Sequence, residues 1–125
     1  MIEVEVGLVI VAAEGASVLL DRTNDVFCIP ICKLSYHSTS QNIAAALLEA
    51  YTGLHAIVNN VGWIPMFQKS VIDSPVRGSI LIPYLVLLQQ IVKPLKGEWL
   101  KLVDISQHVF YRDHKYIVNK IIAEV

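Results

Sequence analysis

The sequence predicts a mixed β-sheet covered by helices. Three observations predict it. An apolar, β-branched run, Val4–Ala13, is followed by a turn and a returning strand. One strongly patterned helix occupies Gln41–Thr52. Two long extended stretches, His55–Ile72 and Val76–Ile91, precede a final helix.

Val4–Ala13 is apolar nearly throughout, which predicts a strand buried on both faces or nearly so. Glu14-Gly15 marks a turn. Ser17–Asp21, with Val18, Leu19 and Leu20, reads as the return strand, and the polar Arg22–Asp25 as a loop. Phe27–Ile31 is a short extended piece constrained by Pro30, and Ser35–Ser40 supplies Ser and Thr suited to cap a helix. Within Gln41–Thr52, Ile43, Leu47, Leu48 and Tyr51 recur at three- and four-residue steps, while Ala44, Ala45, Ala46 and Ala50 favour helix. Gly53 is a natural terminator. Asp73-Ser74-Pro75 turns the chain between the two extended stretches, and Pro65 and Pro83 predict bulges, edge positions or breaks. Lys93–Glu98 reads as a loop and Trp99–Val103 as a short strand. Asp113 is placed to cap a last helix whose apolar stripe is Tyr116, Ile117, Ile121 and Ile122.

The 125 residues suit one domain, 1–125, with enough chain to bury a core. Ten basic and eleven acidic residues give a net charge of -1, with no basic stripe for nucleic acid. Apolar residues make up 54% and charged ones 17%, below the roughly one quarter of typical chains. That surplus predicts exposed apolar surface or a covered face. The richest run, Ile80–Leu88, is interrupted by Pro83 and is too short for the roughly 20 apolar residues of a spanning helix, so no membrane partner is predicted. Glu3 and Glu5 stand where a signal peptide carries positive charge, and the expected location is cytoplasmic. Cys28 and Cys32 do not make a disulfide framework. With His37 they fall short of the four ligands zinc usually takes, so they read as reduced, small apolar residues.

The segment Phe27–Leu54 resembles the signature region of the Nudix superfamily. Phe27, Pro30 and Lys33 match the aromatic, proline and lysine that lead into the family's box, G-x5-E-x7-R-E-U-x-E-E-x-G-U, where U is aliphatic. The box runs without a gap from Cys32 to Leu54. Leu48 and Leu54 fill its aliphatic positions and Gly53 its late glycine, within Thr52-Gly53-Leu54-His55-Ala56. Gly7-Leu8-Val9-Ile10 resembles the opening strand and Glu98-Trp99-Leu100 the segment before the last helix. The resemblance implies an α/β/α sandwich around a mixed sheet. It also implies a divalent cation, usually magnesium, held by box glutamates against a pyrophosphate. Here those metal positions are Leu47, Ala50 and Tyr51. Ala46 replaces the arginine, Ser38 the earlier glutamate, and Ile31 and Cys32 the two glycines. Magnesium needs hard oxygen ligands, and these side chains supply none. Glu49 points about 200° around the helix from Leu47 and reads as a solvated residue.

The resemblance with its ligand set lost therefore implies a catalytically inactive protein-interaction or assembly module without cofactor or metal, either a homodimer or a subunit beside another protein. Trp63 or Tyr84 would anchor the contact. Two alternatives stay open. One is a metal-independent regulatory binder of a nucleotide or nucleoside diphosphate derivative, with Lys33, Arg22 and Arg77 as the anion-binding candidates. The other is a hydrolase with relocated metal ligands, for which Glu98 and Asp104 are the remaining late carboxylates. Lys33 also has the commoner reading of a solvated lysine, and Arg22 and Arg77 that of surface ion-pair partners. His37, His55, His108 and His114 show no ligand spacing.

Overall fold

The protein is described from a computed structural model covering residues 2–55, 62–65, 69–74 and 77–123, with side chains left undescribed for residue 2 and residues 62–80. β1, Ile2–Ala12, is the spine of the sheet. It pairs in parallel with β7, Arg77–Leu88, from Ile2↔Gly78 to Ala12↔Leu88. On its other side it pairs antiparallel with β2, Ser17–Thr23, near one end and with β4, Ile31–Lys33, near the other. β2 continues to β3, Val26–Cys28, and to β8, Glu98–Lys101; β9, Val109–Phe110, lies parallel to β3. β5, Gly62–Pro65, and β6, Lys69–Ser74, share the outer side of β7. Among the described residues the sheet is mixed and nine-stranded.

Side-chain alternation along these strands divides the core in two. Val6, Leu8 and Ile10 of β1, with Tyr84, Val86 and Leu88 of β7, face α1, Ser40–Thr52. Val9 and Val11, with Leu81 and Leu85, face the other way, toward α2, His114–Ala123. Helices therefore cover both faces, as an α/β/α sandwich requires. Within the predicted Val4–Ala13 strand, Val6–Ala12 is buried on both faces because it lies at the centre of the sheet, while Val4 and Glu5 are half-buried and Ala13 is exposed in the turn that follows. Gly7 packs closely: a Cβ there would stand 2.7 Å from Ile29 Cδ1 and 3.0 Å from Leu81 Cδ1, so the ends of those side chains would have to shift to admit one.

Several boundaries differ from the sequence reading. β2 extends through Arg22 and Thr23, and only Asn24 and Asp25 turn, both with positive φ of 50° and 65°. Two such residues make the tight hairpin whose twist matches that of the strands, so a stretch read as a loop is mostly ladder. Phe27–Ile31 splits into the ends of two strands around Ile29-Pro30. Trp99–Val103 is instead a strand over Glu98–Lys101 followed by a 3-10 helix, Leu102–Gln107. In α2 the buried stripe is Ile117, Val118 and Ile121, while Tyr116 is exposed.

The proline expectation is met at both sites. Pro65 ends the edge strand β5. Pro83 sits at the break between the pairings of β6, which reach Leu81, and of β5, which begin at Tyr84. The extended reading of residues 56–61 and 66–68, and the turn at Pro75, lie outside the described residues.

Candidate functional site

α1 begins at the predicted place. The Thr39 hydroxyl caps it by accepting from the Asn42 N–H at 3.1 Å, and Gly53 closes it with φ 76°, donating its N–H to the Glu49 carbonyl at 2.8 Å. This fixes the rotation of the helix, and rotation decides where the box positions point. Leu47 and Tyr51 turn inward and are 8% and 4% exposed, within the cluster of Leu8, Leu19, Ile43 and Leu48. Ala46 and Ala50 are exposed, as are Cys32 and Ser38 on the approach to the helix. Glu49 is exposed too, with an oxygen 3.6 Å from His55 Nδ1.

Tyr51 is the polar element of this face. Its hydroxyl donates to the carboxylate of Asp21 on β2. Burial, the acceptor bond and the nearby negative charge all push the phenol above its ordinary range, so it stays a donor at neutral pH. Cys28 stands opposite Asp21 in the β2–β3 ladder. Burial raises its thiol, Asp21 adds to the rise, and Lys96 partly offsets it. A protonated, half-buried thiol is a poor nucleophile. Lys96 lies over the Tyr51 ring, 5.0 Å from its centroid, and the Leu95 and Lys96 N–H groups reach the Tyr51 carbonyl at 2.8 and 3.4 Å. Residues 95–97 thus strap the end of α1.

Arg22 and Lys33, the two candidate cations with described side chains, each pair with a different carboxylate. Arg22 pairs with Glu98 at 3.6 Å and lies 5.8 Å from the Phe27 ring centroid. Lys33 has a side chain 74% exposed and pairs with Glu3 at 3.6 Å. It lines an open groove of about 330 Å³ with Glu3, Val4, Leu34, Ser35 and Tyr36. Arg77 opens β7, and its side chain lies outside the described residues, as does that of Trp63. Tyr84 is not a surface anchor: it is 9% exposed, and its hydroxyl is 2.6 Å from Ser40 Oγ. The alternation of β7 turns it toward α1, which the proline one residue before it had obscured.

No protein-family model matches the sequence, and no curated protein matches it. Solved structures do. The E. coli dihydroneopterin triphosphate pyrophosphohydrolase superposes with a TM-score of 0.75 at 11% identity, over 98% of this chain and 96% of that one. The NUDIX domain of Shewanella oneidensis NrtR, solved with ADP ribose, gives 0.72 at 14% identity, over 99% and 87%. The chain has the Nudix fold. A longer Sinorhizobium meliloti protein matches at 0.61 and 23% identity over 96% of this chain, which spans 38% of that protein. At such identities the likeness establishes the Nudix architecture and nothing about chemistry.

The cation that a Nudix fold implies does not fit the residues present. Leu47 and Tyr51 point into the core, Ala50 carries no donor, and the Asp21 carboxylate already accepts the Tyr51 hydroxyl. Among the described residues, no group of three or more His, Cys, Asp or Glu side chains is placed to hold a metal ion. Asp21 and Lys96 were not singled out by the sequence reading, and Cys28 was read there as a reduced, small apolar residue. They meet only because β2, β3 and the strap converge at the end of α1, and no spacing motif carries that information.

Proposed function

We propose that this Nudix-fold chain is a non-catalytic interaction or assembly module. The observation that carries the reading is the burial of Leu47 and Tyr51. Two of the three helix positions that the resemblance would assign to a cation, Leu47 and Tyr51, belong to the hydrophobic core, and the third, Ala50, is exposed without a donor. Exposed apolar side chains support the same reading: Leu95, Val103 and Val109 are each at least 65% exposed. An apolar groove of about 480 Å³ also opens at the ends of β1 and β7, where Val11, Leu87, Leu88, Leu102 and Ile122 line it. The expected partner is a second copy of the chain, in a two-fold dimer.

Sedimentation equilibrium at micromolar concentration, together with a magnesium-dependent turnover assay on nucleoside triphosphates and ADP-ribose, tests this. A dimer without turnover is expected. A monomer persisting to high micromolar concentration overturns the assembly reading. Metal-dependent turnover lost on Lys33→Ala overturns the non-catalytic one and revives a hydrolase with relocated ligands.

A second reading, a metal-independent binder of a nucleotide derivative, is favoured by the groove beside Lys33 and by the ADP-ribose complex of the similar NrtR domain. It predicts a rise in melting temperature with ADP-ribose and no turnover.

A further inference from the structure

Buried polar groups away from the candidate site are few among the described residues, and His114 stands out. It is the first residue of α2 and is 3% exposed. Its Nδ1 accepts the N–H of Ile29 at 3.1 Å, joining positions 85 residues apart. The acceptor role puts the proton of the neutral ring on Nε2. Ile29 belongs to the two-residue crossover between β3 and β4. The next carbonyl, of Pro30, accepts the Leu8 N–H at 2.9 Å. The crossover is thus suspended between the central strand on one side and α2 on the other. Near the same place, the Tyr111 N–H donates to the Phe27 carbonyl at 2.8 Å. His114 is the side-chain pin of this junction, and beneath it lies the apolar cluster of Phe27, Ile29, Phe110, Ile117, Val118 and Ile121.

We propose that His114 is an acid-operated latch: as a neutral acceptor it holds the start of α2 against the β3–β4 crossover, and on protonation it releases them. The chemistry is a change of sign at one atom. Protonated Nδ1 carries an N–H, and the Ile29 N–H facing it is also a donor, so the bond cannot survive.

The surroundings decide how acid the medium must be. Burial lowers the ring most; the Asp113 carboxylate favours the imidazolium against it, and the Arg112 guanidinium acts with burial, bringing the ring down from 6.5 to about 4. Arg112 is itself held by Glu5 of β1 at 3.6 Å. The Tyr111 ring meets the imidazole edge-on at 5.3 Å. Cys28 precedes Ile29 with its thiol raised and hence uncharged. Lys115 follows in α2 and turns away over Phe110, 5.6 Å from the ring centroid.

Amide hydrogen exchange of the full chain, corrected for the intrinsic pH dependence of exchange, tests the latch. If the opened imidazole titrates at its ordinary 6.5 and the latched one at about 4, the opening equilibrium of Ile29 and of the first turn of α2 rises about 30-fold between pH 8 and pH 5. His114→Asn places an amide oxygen near the Nδ1 position that can accept without titrating, and its protection is expected to be flat over the same range. An equal fall in the variant, or a flat wild type, overturns the proposal. If the variant fails to fold, the wild-type imidazole signal decides. A midpoint well below 6.5, matched by a shift of the Ile29 amide, supports the latch. A midpoint near 6.5, or one without an Ile29 response, overturns it.

Discussion

The two faces of the central sheet are built from the same strands, alternate residues of β1 and β7 serving each, yet they handle buried polarity differently. On the α1 face, the polar atoms of Tyr51 and Asp21 bond to each other at the margin of an apolar layer, beneath the strap of residues 95–97. On the α2 face, the imidazole of His114 sits deep and bonds to the backbone of another element. The first arrangement keeps its charged member partly in water, and its phenol stays protonated near neutrality. The second is dry, so its protonation state and its packing are linked. One face thus places its polar pair at the margin of an apolar layer, while the opposite face buries an imidazole that ties a helix to the backbone of a distant crossover.

If the two faces are equal as packing surfaces, truncating their centres gives similar losses, and these are the largest effects expected. Phe27→Ala on the α2 face and Leu48→Ala on the α1 face remove fully or almost fully buried side chains. Each is expected to cost ~3–4 kcal/mol by urea denaturation. A loss under about 1 kcal/mol at either site shows that face to be loosely packed.

The pH dependence separates the faces. The folded-state pKa of His114 lies below its unfolded value of 6.5, at about 4. The unfolded chain therefore binds more protons between those values. Stability is full above pH 6.5 and falls as the pH drops toward 4, by about 3 kcal/mol in all. His114→Asn removes this slope, whereas Tyr51→Phe leaves it in place. A slope unchanged in His114→Asn assigns the acid sensitivity to other groups.

Tyr51→Phe itself deletes a hydrogen bond to a carboxylate that water partly reaches, and about 1–1.5 kcal/mol of destabilisation is expected at neutral pH. Thermal melts of variant and wild type measure it. No change in melting temperature makes the Asp21 contact dispensable. The smallest effect belongs to Arg22→Ala. Its pair with Glu98 is about half exposed on both sides, and stability is expected to stay within ~0.5 kcal/mol. If Arg22 instead supports the nucleotide-binding reading, the variant loses any ADP-ribose-induced melting shift while keeping its own melting temperature.

Much of the frame is legible without coordinates. The helix over residues 41–52, a Ser or Thr cap within 35–40, its glycine stop and its inward stripe follow from local spacing and capping chemistry; the structure starts the helix one residue earlier, at Ser40, and makes Thr39 the cap. The doubly buried character of β1 from Val6 to Ala12 follows from the apolar run there. The Arg22–Asp25 stretch was misread because polar residues suit an exposed ladder as well as a loop. Only the paired positive φ values at Asn24 and Asp25 tell the two apart. The misassignment of Tyr84 has a similar origin, since alternation along β7 says which residues share a face but not which face meets α1.

The sequence by itself determined that positions 47, 50 and 51 carry no carboxylate, because identity at a position needs no geometry. It also determined where α1 starts and stops, because caps act within a few residues. Tertiary structure alone decided that Leu47 and Tyr51 fill the core, that Asp21 meets Tyr51, and that His114 reaches Ile29. Those partners are far apart in the chain. Their meeting depends on the register of long-range strand pairs and on how each helix settles on the sheet, which no local pattern encodes.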